Sequence, residues 1–511
     1  MTPQADRTDR RARVRGVLAV AAIMIAAGCT PNQPGTPTDD DQSTARNVRV
    51  ELVAGGAALT WDASPEVSSF EVDWRRVGTT TWSSTTVTGR HALVTGQVDY
   101  ASYEYRVRAA PSPATPEPGW SGTKVGTFYR MTLPVISIDT GSTPIVSKDD
   151  YVDGRFTLDP NGATATALSG DLEIKGRGNT TWDQPKKPYR VKLATKAPLL
   201  GMPSSRHWVL LANYADQSQI RTTSAQAMAS MTSIPWSPRS AMAELVLNGQ
   251  YQGVYQVIEQ IRIDPQRVDI DEMEPADITG GALTGGYLFE VDFRNEPGSR
   301  NTPRGAQILV KEPDELAPEQ DAYVDSVLQR FEAALFAPNF ADPAEGYRRY
   351  VDIDSLVDSY LVSEFTMQVD AFYSSTYFYK PRGDERFHFG PMWDFDMSQA
   401  PTTDLLVNPW PPDMAWVRNP LISFNRGGAS VWLARLFQDP TFVTAVHDRW
   451  QQLKDPFLAQ VEAMDDIQGP LMPAITVDAV RWNRGSLRTY HYAANIQTWM
   501  RQRWNWMNAT M

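Results

Sequence analysis

Hydrophobic and polar positions alternate with a period of two along the chain from about Arg46 to Tyr129. The alternation is clearest in residues 70–74 and 103–109. Successive side chains of a strand point to opposite faces of a sheet, so this pattern indicates strands with one buried face. Turn residues interrupt it at short intervals, which favours a β-sandwich for this part of the chain.

A second region begins at about Leu133. The spacing of its hydrophobic positions is first that of strands and later that of helices. Apolar runs of strand length continue to about Glu312, and the pair Asn248-Gly249 between two of them predicts a hairpin. Residues 217–231 and the chain beyond Glu312 have helical spacing instead. One helix face is formed by Ile353, Leu356, Val357, Tyr360, Leu361 and Phe365. Strands followed by helices predict a two-lobed α+β domain and not a doubly wound sheet.

Acidic residues with catalytic potential are concentrated in residues 366–397. Asp370 follows the predicted helix, and two short β-like runs come next, Thr376–Lys380 and Arg386–Gly390. Asp394 and Asp396 follow with one aromatic residue between them. Protein kinases present a catalytic base and a magnesium ligand in this order. The alternative is a surface hairpin with solvated acids.

The overall charge argues against one class of partner. The chain has 48 Lys and Arg against 60 Asp and Glu, a net charge of −12. Nucleic-acid binding depends on cationic contacts to phosphates. We therefore expect no nucleic-acid partner.

The N-terminus has the features of an export signal. Five arginines precede an apolar run, 17–27, which is too short to span a bilayer as a helix. Small residues then precede Cys29, the only cysteine, and the whole resembles a bacterial lipoprotein signal in which that thiol is lipidated. An ordinary secretory signal is the alternative. Residues 30–45 are rich in Pro, Thr and Asp and are predicted to be a disordered tether.

Two family resemblances can be named on particular residues. Residues 46–130 resemble a fibronectin type III domain, with Trp61 and Trp74 at core positions and Tyr103 at a tyrosine corner. The rest of the chain, 131–511, resembles the CotH kinase family, named for a spore coat protein kinase. Its motifs here are RGNTTW (177–182), PKKPYRVK (185–192), LLGMP (199–203), WVLLANY (208–214), LNGQYQGVY (247–255), EQ (259–260) and GPMWDFD (390–396).

The resemblance implies an atypical protein kinase that uses ATP and Mg²⁺ or Mn²⁺. Some members of the family phosphorylate serines on secreted or coat proteins. It implies that Asp370 is the catalytic base, that Asp394 and Asp396 bind the metal, and that Ser375 occupies the position of a further ligand.

Nucleotide-binding residues are expected on the strand-rich part. Phosphoryl transfer needs cations that gather the phosphates. Lys192 is the best candidate for this role, and Arg177 and Asn179 in a Gly-flanked turn are expected to cap the phosphates. Glu259 lies where kinases connect their two lobes, and backbone groups there are candidates for binding adenine. Lys186, Lys187 and Arg190 are interpreted as a solvated basic face.

Two departures from the kinase pattern bear on activity. The family places Asn five residues after the catalytic Asp, and here that residue is Ser375. The helix predicted over 217–231 contains no Glu to pair with Lys192, which leaves Asp216 and Glu290 as alternative partners.

The sequence therefore predicts an exported, lipid-anchored kinase of cell-envelope or coat proteins. The predicted organisation is a lipoprotein signal (1–29), a tether (30–45), a sandwich (46–130) and a kinase-like domain (131–511). A catalytically weak or inactive envelope lipoprotein that binds partners is the alternative, and glycoside hydrolysis by two carboxylates is a third hypothesis.

Overall fold

The computed structural model describes residues 45–511 except for 54, 100, 114–115, 295, 402–408, 418–427 and 485–488. Cys29, the export signal and residues 30–44 of the predicted tether lie outside the described residues. Mixed helix and strand with an all-β region at the N-terminal end confirms the α+β class. The two-lobed kinase-like arrangement stays a prediction.

The N-terminal all-β region contains two antiparallel sheets. Its strands are β1 (Arg46–Val53), β2 (Gly56–Asp62), β3 (Ser69–Arg76), β4 (Ser83–Thr88), β5 (His91–Thr95), β6 (Ser102–Ala109) and β7 (Lys124–Thr127). The sheet orders are β1-β2-β5 and β4-β3-β6-β7. Trp61 and Phe70 pack edge to face at 5.2 Å in the core between the sheets. Tyr103 Oη accepts a hydrogen bond from Val98 N at 3.0 Å, the kind of contact expected of a tyrosine corner.

A closed barrel follows. It is built from β8 (Val135–Asp139), β9 (Val152–Asp159), β10 (Leu168–Gly176), β11 (Tyr189–Ala197), β12 (Ser205–Leu211), β13 (Ser240–Leu247) and β14 (Gln250–Glu259). The strand order is β10-β11-β12-β14-β13-β8-β9, and the β8–β13 pair is parallel. Apolar side chains such as Ile174, Val191 and Trp208 fill the interior and leave a cavity of about 10 Å³. The interior of the barrel is therefore a packed core.

A five-stranded sheet carries the residues around the predicted base. Its order is β16 (Ser299–Asn301), β17 (Gln307–Glu312), β15 (Tyr287–Val291), β18 (Thr376–Lys380) and β19 (His388–Phe389). The predicted hairpin is confirmed as β18 and β19, although β19 is shorter than the run from Arg386 to Gly390.

The described chain also contains helices, which pack against this sheet, against the barrel and against one another. They are α1 (Thr180–Asp183), α2 (Arg221–Ala229), α3 (Pro318–Phe336), α4 (Ile353–Thr366), α5 (Ser430–Leu436), α6 (Pro440–Glu462), α7 (Met464–Gln468), α8 (Met472–Arg481) and α9 (Ala493–Thr510). Helix α4 begins where the Asp352 side chain accepts a hydrogen bond from Ser355 N, and it is buried on nearly every face. Among the described residues, no helix combines the length and the apolar character needed to span a membrane.

Helix α2 is shorter than its sequence pattern. Residues 217–231 have helical spacing, but the helix begins at Arg221. The Asp216 side chain accepts hydrogen bonds from Ser218 N (3.0 Å) and Arg221 N (3.2 Å). Such local side-chain bonds compete with helix formation, so the segment before Arg221 forms a turn.

The all-β region packs directly against the barrel. Tyr129 stacks on Tyr251 of β14 with their ring centroids 4.8 Å apart. Val135 and Val246 of the barrel belong to the same buried cluster as the core of the sandwich. The two regions therefore share one hydrophobic contact surface.

Candidate active site

The predicted base, Asp370, lies in a tight loop at the end of helix α4. Its carbonyl oxygen accepts hydrogen bonds from Tyr373 N (3.0 Å) and Ser374 N (2.8 Å). Met367, Phe372 and Ser375 have positive φ angles of 52°, 60° and 51°. Non-glycine residues in this region are costly and persist where the surroundings hold them. The loop is therefore constrained by its own hydrogen bonds.

The segment with Asp394 is fastened to that loop. Ser375 Oγ donates to Asp394 Oδ2 at 2.9 Å. Gln368 Nε2 donates to the carbonyl oxygens of Trp393 (2.7 Å) and Asp394 (3.2 Å). Asp394 itself has a φ of 69°. These contacts bring Asp370, Ser375 and Asp394 together, as the sequence predicts.

Burial and neighbouring negative charge raise the pKa of two carboxyl groups of the site, Asp370 and Asp396. Burial, and next the charge of Asp394, raise the pKa of Asp370 to about 7, while Arg294 opposes the shift. Burial raises the pKa of Asp396 well above its usual value, and the charges of Asp394 and Asp216 add to the effect. Three acids thus lie close enough to repel one another, and a bound cation would relieve that repulsion.

The carboxylates of the site suit Mg²⁺ better than a metal ion whose ligands are all protein side chains. Within the described residues, no group of three or more His, Cys, Asp or Glu is arranged to hold a metal ion. Mg²⁺ is usually bound by one or two carboxylates together with phosphate oxygens and water. Asp394 and Asp396 are the two carboxylates that would hold such an ion, and the Ser375 hydroxyl donates a hydrogen bond to Asp394.

Arg177 faces this acidic group without a partner of its own. Its guanidinium carbon lies 5.6 Å from the centroid of the Trp393 ring. In the part of the chain that the structure describes, its side chain makes no hydrogen bond and no ion pair. Burial lowers its pKa, and the charge of Asp394 counteracts this. Arg177 is therefore a cation placed beside Asp394 and available to an anion.

Asn179 contacts a residue that sequence reasoning did not single out, Arg294. With its amide oxygen turned toward Arg294, Asn179 accepts hydrogen bonds from Nε (3.1 Å) and NH1 (3.2 Å). Arg294 NH1 also donates to Asp292 Oδ1 and Ser374 Oγ, both at 3.0 Å. Arg294 thereby connects the Gly-flanked turn to the loop of Asp370. No sequence signal reveals this link, because Arg294 and Ser374 are 80 residues apart.

Lys192 is paired outside the acidic group. Its Nζ lies 2.7 Å from Glu173 Oε2, and the two side chains are 33% and 39% exposed. Both alternative partners are therefore wrong. Asp216 pairs with Arg221, and Glu290 pairs with Lys311 at 3.0 Å. The structure does not bring Lys192 to the carboxylates.

The Glu259 side chain forms an ion pair at the β13–β14 hairpin. Its carboxylate is buried and binds Arg239 through Nε (2.8 Å) and NH2 (2.9 Å). The side chain therefore closes the end of the hairpin, which leaves the backbone groups as the candidates for adenine binding.

The interpretation of Lys186 as part of a solvated basic face is wrong. Its side chain is fully buried and donates to Asp478 Oδ1 at 2.7 Å and to the carbonyl oxygen of Val254. Lys187 Nζ donates to Trp182 O at 2.6 Å. A buried ammonium needs such partners because its desolvation is costly.

Comparison with known proteins identifies the family of the chain. The family model described as "CotH kinase protein" matches residues 174–507. The chain belongs to the CotH kinase protein family. No curated protein matches. Among solved structures, the FN5 domain of Drosophila Lar is matched at 16% identity over 17% of this chain and 97% of that chain, with a TM-score of 0.15. A structure titled "Myokine structure" is matched at 18% identity over 17% of this chain and 95% of that chain, with a TM-score of 0.14.

Proposed function

We propose that this CotH-family protein transfers the γ-phosphoryl group of ATP to hydroxyl side chains of cell-envelope or coat proteins. The observation that carries the proposal is the arrangement of Asp370, Asp394 and Arg177. An acid of raised pKa lies beside a carboxylate suited to Mg²⁺ or Mn²⁺. The Arg177 guanidinium, which has no ion-pair partner among the described residues, lies close enough to Asp394 to feel its charge.

Each residue has a defined task in this proposal. Asp370 orients the acceptor hydroxyl and takes its proton as the oxygen bonds to the γ-phosphorus. The bond from that phosphorus to the β–γ bridging oxygen breaks, and ADP leaves. A divalent ion held by Asp394 and Asp396 would neutralise phosphate charge, and Arg177 would bind phosphate oxygens. Positioning and electrostatic stabilisation account for most of catalysis in phosphoryl transfer.

The cellular setting is also part of the proposal. An exported protein lipidated at Cys29 is held at the membrane by its acyl chains. Its acceptors would then be proteins of the cell envelope. Replacing Cys29 with Ser should move the protein from the membrane fraction to the soluble exported fraction.

A non-catalytic binding protein of the envelope is the second candidate. One observation favours it: Ser375 stands where the family has Asn, and its hydroxyl is already engaged by Asp394. A hydroxyl used in this way is a poorer metal ligand than an amide carbonyl. In that case nucleotide binding would persist without transfer.

The test is phosphoryl transfer from labelled ATP with Mg²⁺ or Mn²⁺, measured together with nucleotide affinity. Asp370→Asn should lower transfer by at least about 100-fold, the usual scale of general-base catalysis, while nucleotide affinity stays within a few-fold of wild type. Asp394→Asn should weaken both. Asp171→Asn, at a surface ion pair with Arg155, is the matched control. Absence of transfer by the wild-type protein, with nucleotide still bound, would favour the binding protein.

A further inference from the structure

A small cavity lies next to the Ser375–Asp394 hydrogen bond, between helix α4 and strand β18. It has a volume of about 10 Å³, and its lining includes Ser359 and Ser363 of α4 together with Gln368 and Ser375. The cavity inside the barrel has the same volume but is lined by apolar side chains only. Apolar cavities stay dry, whereas a polar cavity of this volume has room for one water molecule. The two cavities therefore differ in what they can bind.

The two serines of α4 have hydroxyl groups without a partner among the described residues. Ser359 and Ser363 are 1% and 2% exposed, and neither side chain forms a hydrogen bond with any residue that the structure describes. They lie four residues apart on the helix, so both hydroxyl groups reach the same cavity. Buried hydroxyl groups nearly always have a hydrogen-bond partner. A small ligand that both donates and accepts would satisfy these two serines.

Gln368 and Ser375 provide two further polar groups at the cavity. Gln368 Nε2 donates to the carbonyl oxygens of Trp393 and Asp394, and its amide oxygen has no donor among the described residues. Ser375 Oγ donates to Asp394 Oδ2 and keeps lone pairs that can accept a hydrogen bond. A buried water molecule typically makes about three hydrogen bonds. The four side chains together can therefore satisfy one water molecule.

We propose that this cavity binds one water molecule, which connects Ser359 and Ser363 to the hydroxyl group of Ser375. Because Ser375 donates to Asp394, the water fixes the Asp394 carboxylate relative to the buried helix α4. Groups that hydrogen-bond a metal ligand hold that ligand in the orientation that binding requires. Ser359 and Ser363 are then positioning residues for the metal ion. The water site stands without the proposed function, whereas its effect on metal binding rests on it.

The first measurement counts long-lived buried water molecules in the full chain by magnetic relaxation dispersion of the water signal. Ser363→Val puts methyl groups into the cavity, so this variant should hold one long-lived water fewer than wild type. The double variant Ser359→Ala/Ser363→Ala removes both hydroxyl groups without adding volume and should lose the same water. Ser224→Ala is the matched control and should keep the wild-type number. Ser224 is also a buried helical serine whose hydroxyl lacks a partner, but it does not line this cavity.

The melting temperature of each variant shows whether it is folded. An unchanged number of long-lived waters in the folded double variant and in folded Ser363→Val would overturn the inference.

The second measurement is the affinity of the same samples for Mn²⁺ alone, without nucleotide. Loss of a group that directly hydrogen-bonds a metal ligand weakens metal binding about 10–100-fold, so loss of a water one contact further away should weaken it about threefold to tenfold. Ser224→Ala should bind Mn²⁺ within about twofold of wild type. Loss of the water with unchanged Mn²⁺ affinity would overturn the positioning role. Failure of the wild-type protein to bind Mn²⁺ would overturn that role together with the proposed metal site, while the number of buried waters still decides whether the cavity binds water.

Discussion

Lys186 and Arg190 lie four residues apart and have opposite surroundings. Lys186 is fully buried, and Asp478 and the Val254 carbonyl satisfy it. Arg190 is half-buried, faces Lys175, and has no partner among the described residues. A cation whose charge is matched within the fold contributes to folding. A cation left unmatched at a cleft is available to a ligand.

The largest expected effect concerns the matched cation. Lys186→Met removes the ammonium partner of Asp478, which keeps Arg484 and the backbone N–H of Val254, and it leaves the Val254 carbonyl without its donor. We therefore expect the free energy of unfolding to fall by about 3–5 kcal/mol. Urea denaturation measures the change. Lys187→Met, which loses one bond to a backbone carbonyl, is the control and should cost about 1 kcal/mol. Equal stability of the two variants would contradict the view that the buried ion pair of Lys186 contributes more to folding than the single hydrogen bond of Lys187.

The next prediction concerns negative charge, at the closely spaced carboxylates of the candidate site. The raised pKa of Asp370, about 7, and that of Asp396 mean that the folded protein holds protons more tightly than the unfolded chain. Without metal, stability should therefore decline as the pH rises from about 4 to about 7.

Thermal unfolding at each pH tests this, with chelator and with Mn²⁺. We expect a decline of a few °C in chelator and a smaller decline with Mn²⁺. Asp394→Asn should also show a smaller decline, because it removes the repelling charge and leaves only the part of the pKa shift that burial causes. A melting temperature that rises over this pH range in chelator would contradict the assignment.

The smallest effect is expected at Lys192. Its ion pair with Glu173 is about one-third exposed, and such pairs contribute about 0–1 kcal/mol. Lys192→Ala should change the free energy of unfolding by less than 1 kcal/mol and nucleotide affinity by about twofold at most. A tenfold loss of nucleotide affinity would instead support the expectation from the sequence that Lys192 holds the phosphates.

Features that depend on local sequence could be predicted. The apolar stripe from Ile353 to Phe365 predicts α4, and the aromatic run Thr376–Lys380 has the bounds of β18. The Asp370, Ser375 and Asp394 group could also be predicted, since a short hairpin joins its members. These elements depend mainly on residues that lie close together in the sequence, so the sequence pattern alone predicts them.

Features that depend on distant contacts could not be predicted. Lys186 has the same surface-like sequence context as Lys187, and only Asp478, 292 residues away, makes it a buried residue. The partner of Lys192 was missed for a related reason: strand register, and not helix position, places Glu173 opposite it. The link from Asn179 to Arg294 likewise exists only once the barrel meets the second sheet.

The Lys186–Asp478 pair also limits the order in which the chain can complete its fold during synthesis. The barrel emerges from the ribosome long before Asp478, because 292 residues separate the two partners. Before α8 has been synthesised, Lys186 lacks its partner Asp478. Either the Lys186 ammonium group then stays unpaired in the barrel, or the barrel stays open beside it. Gly253 makes room for the Asp478 side chain, since a Cβ at residue 253 would lie 1.9 Å from Asp478 Oδ1. A fragment that ends before α8 should therefore not yield a stable isolated barrel.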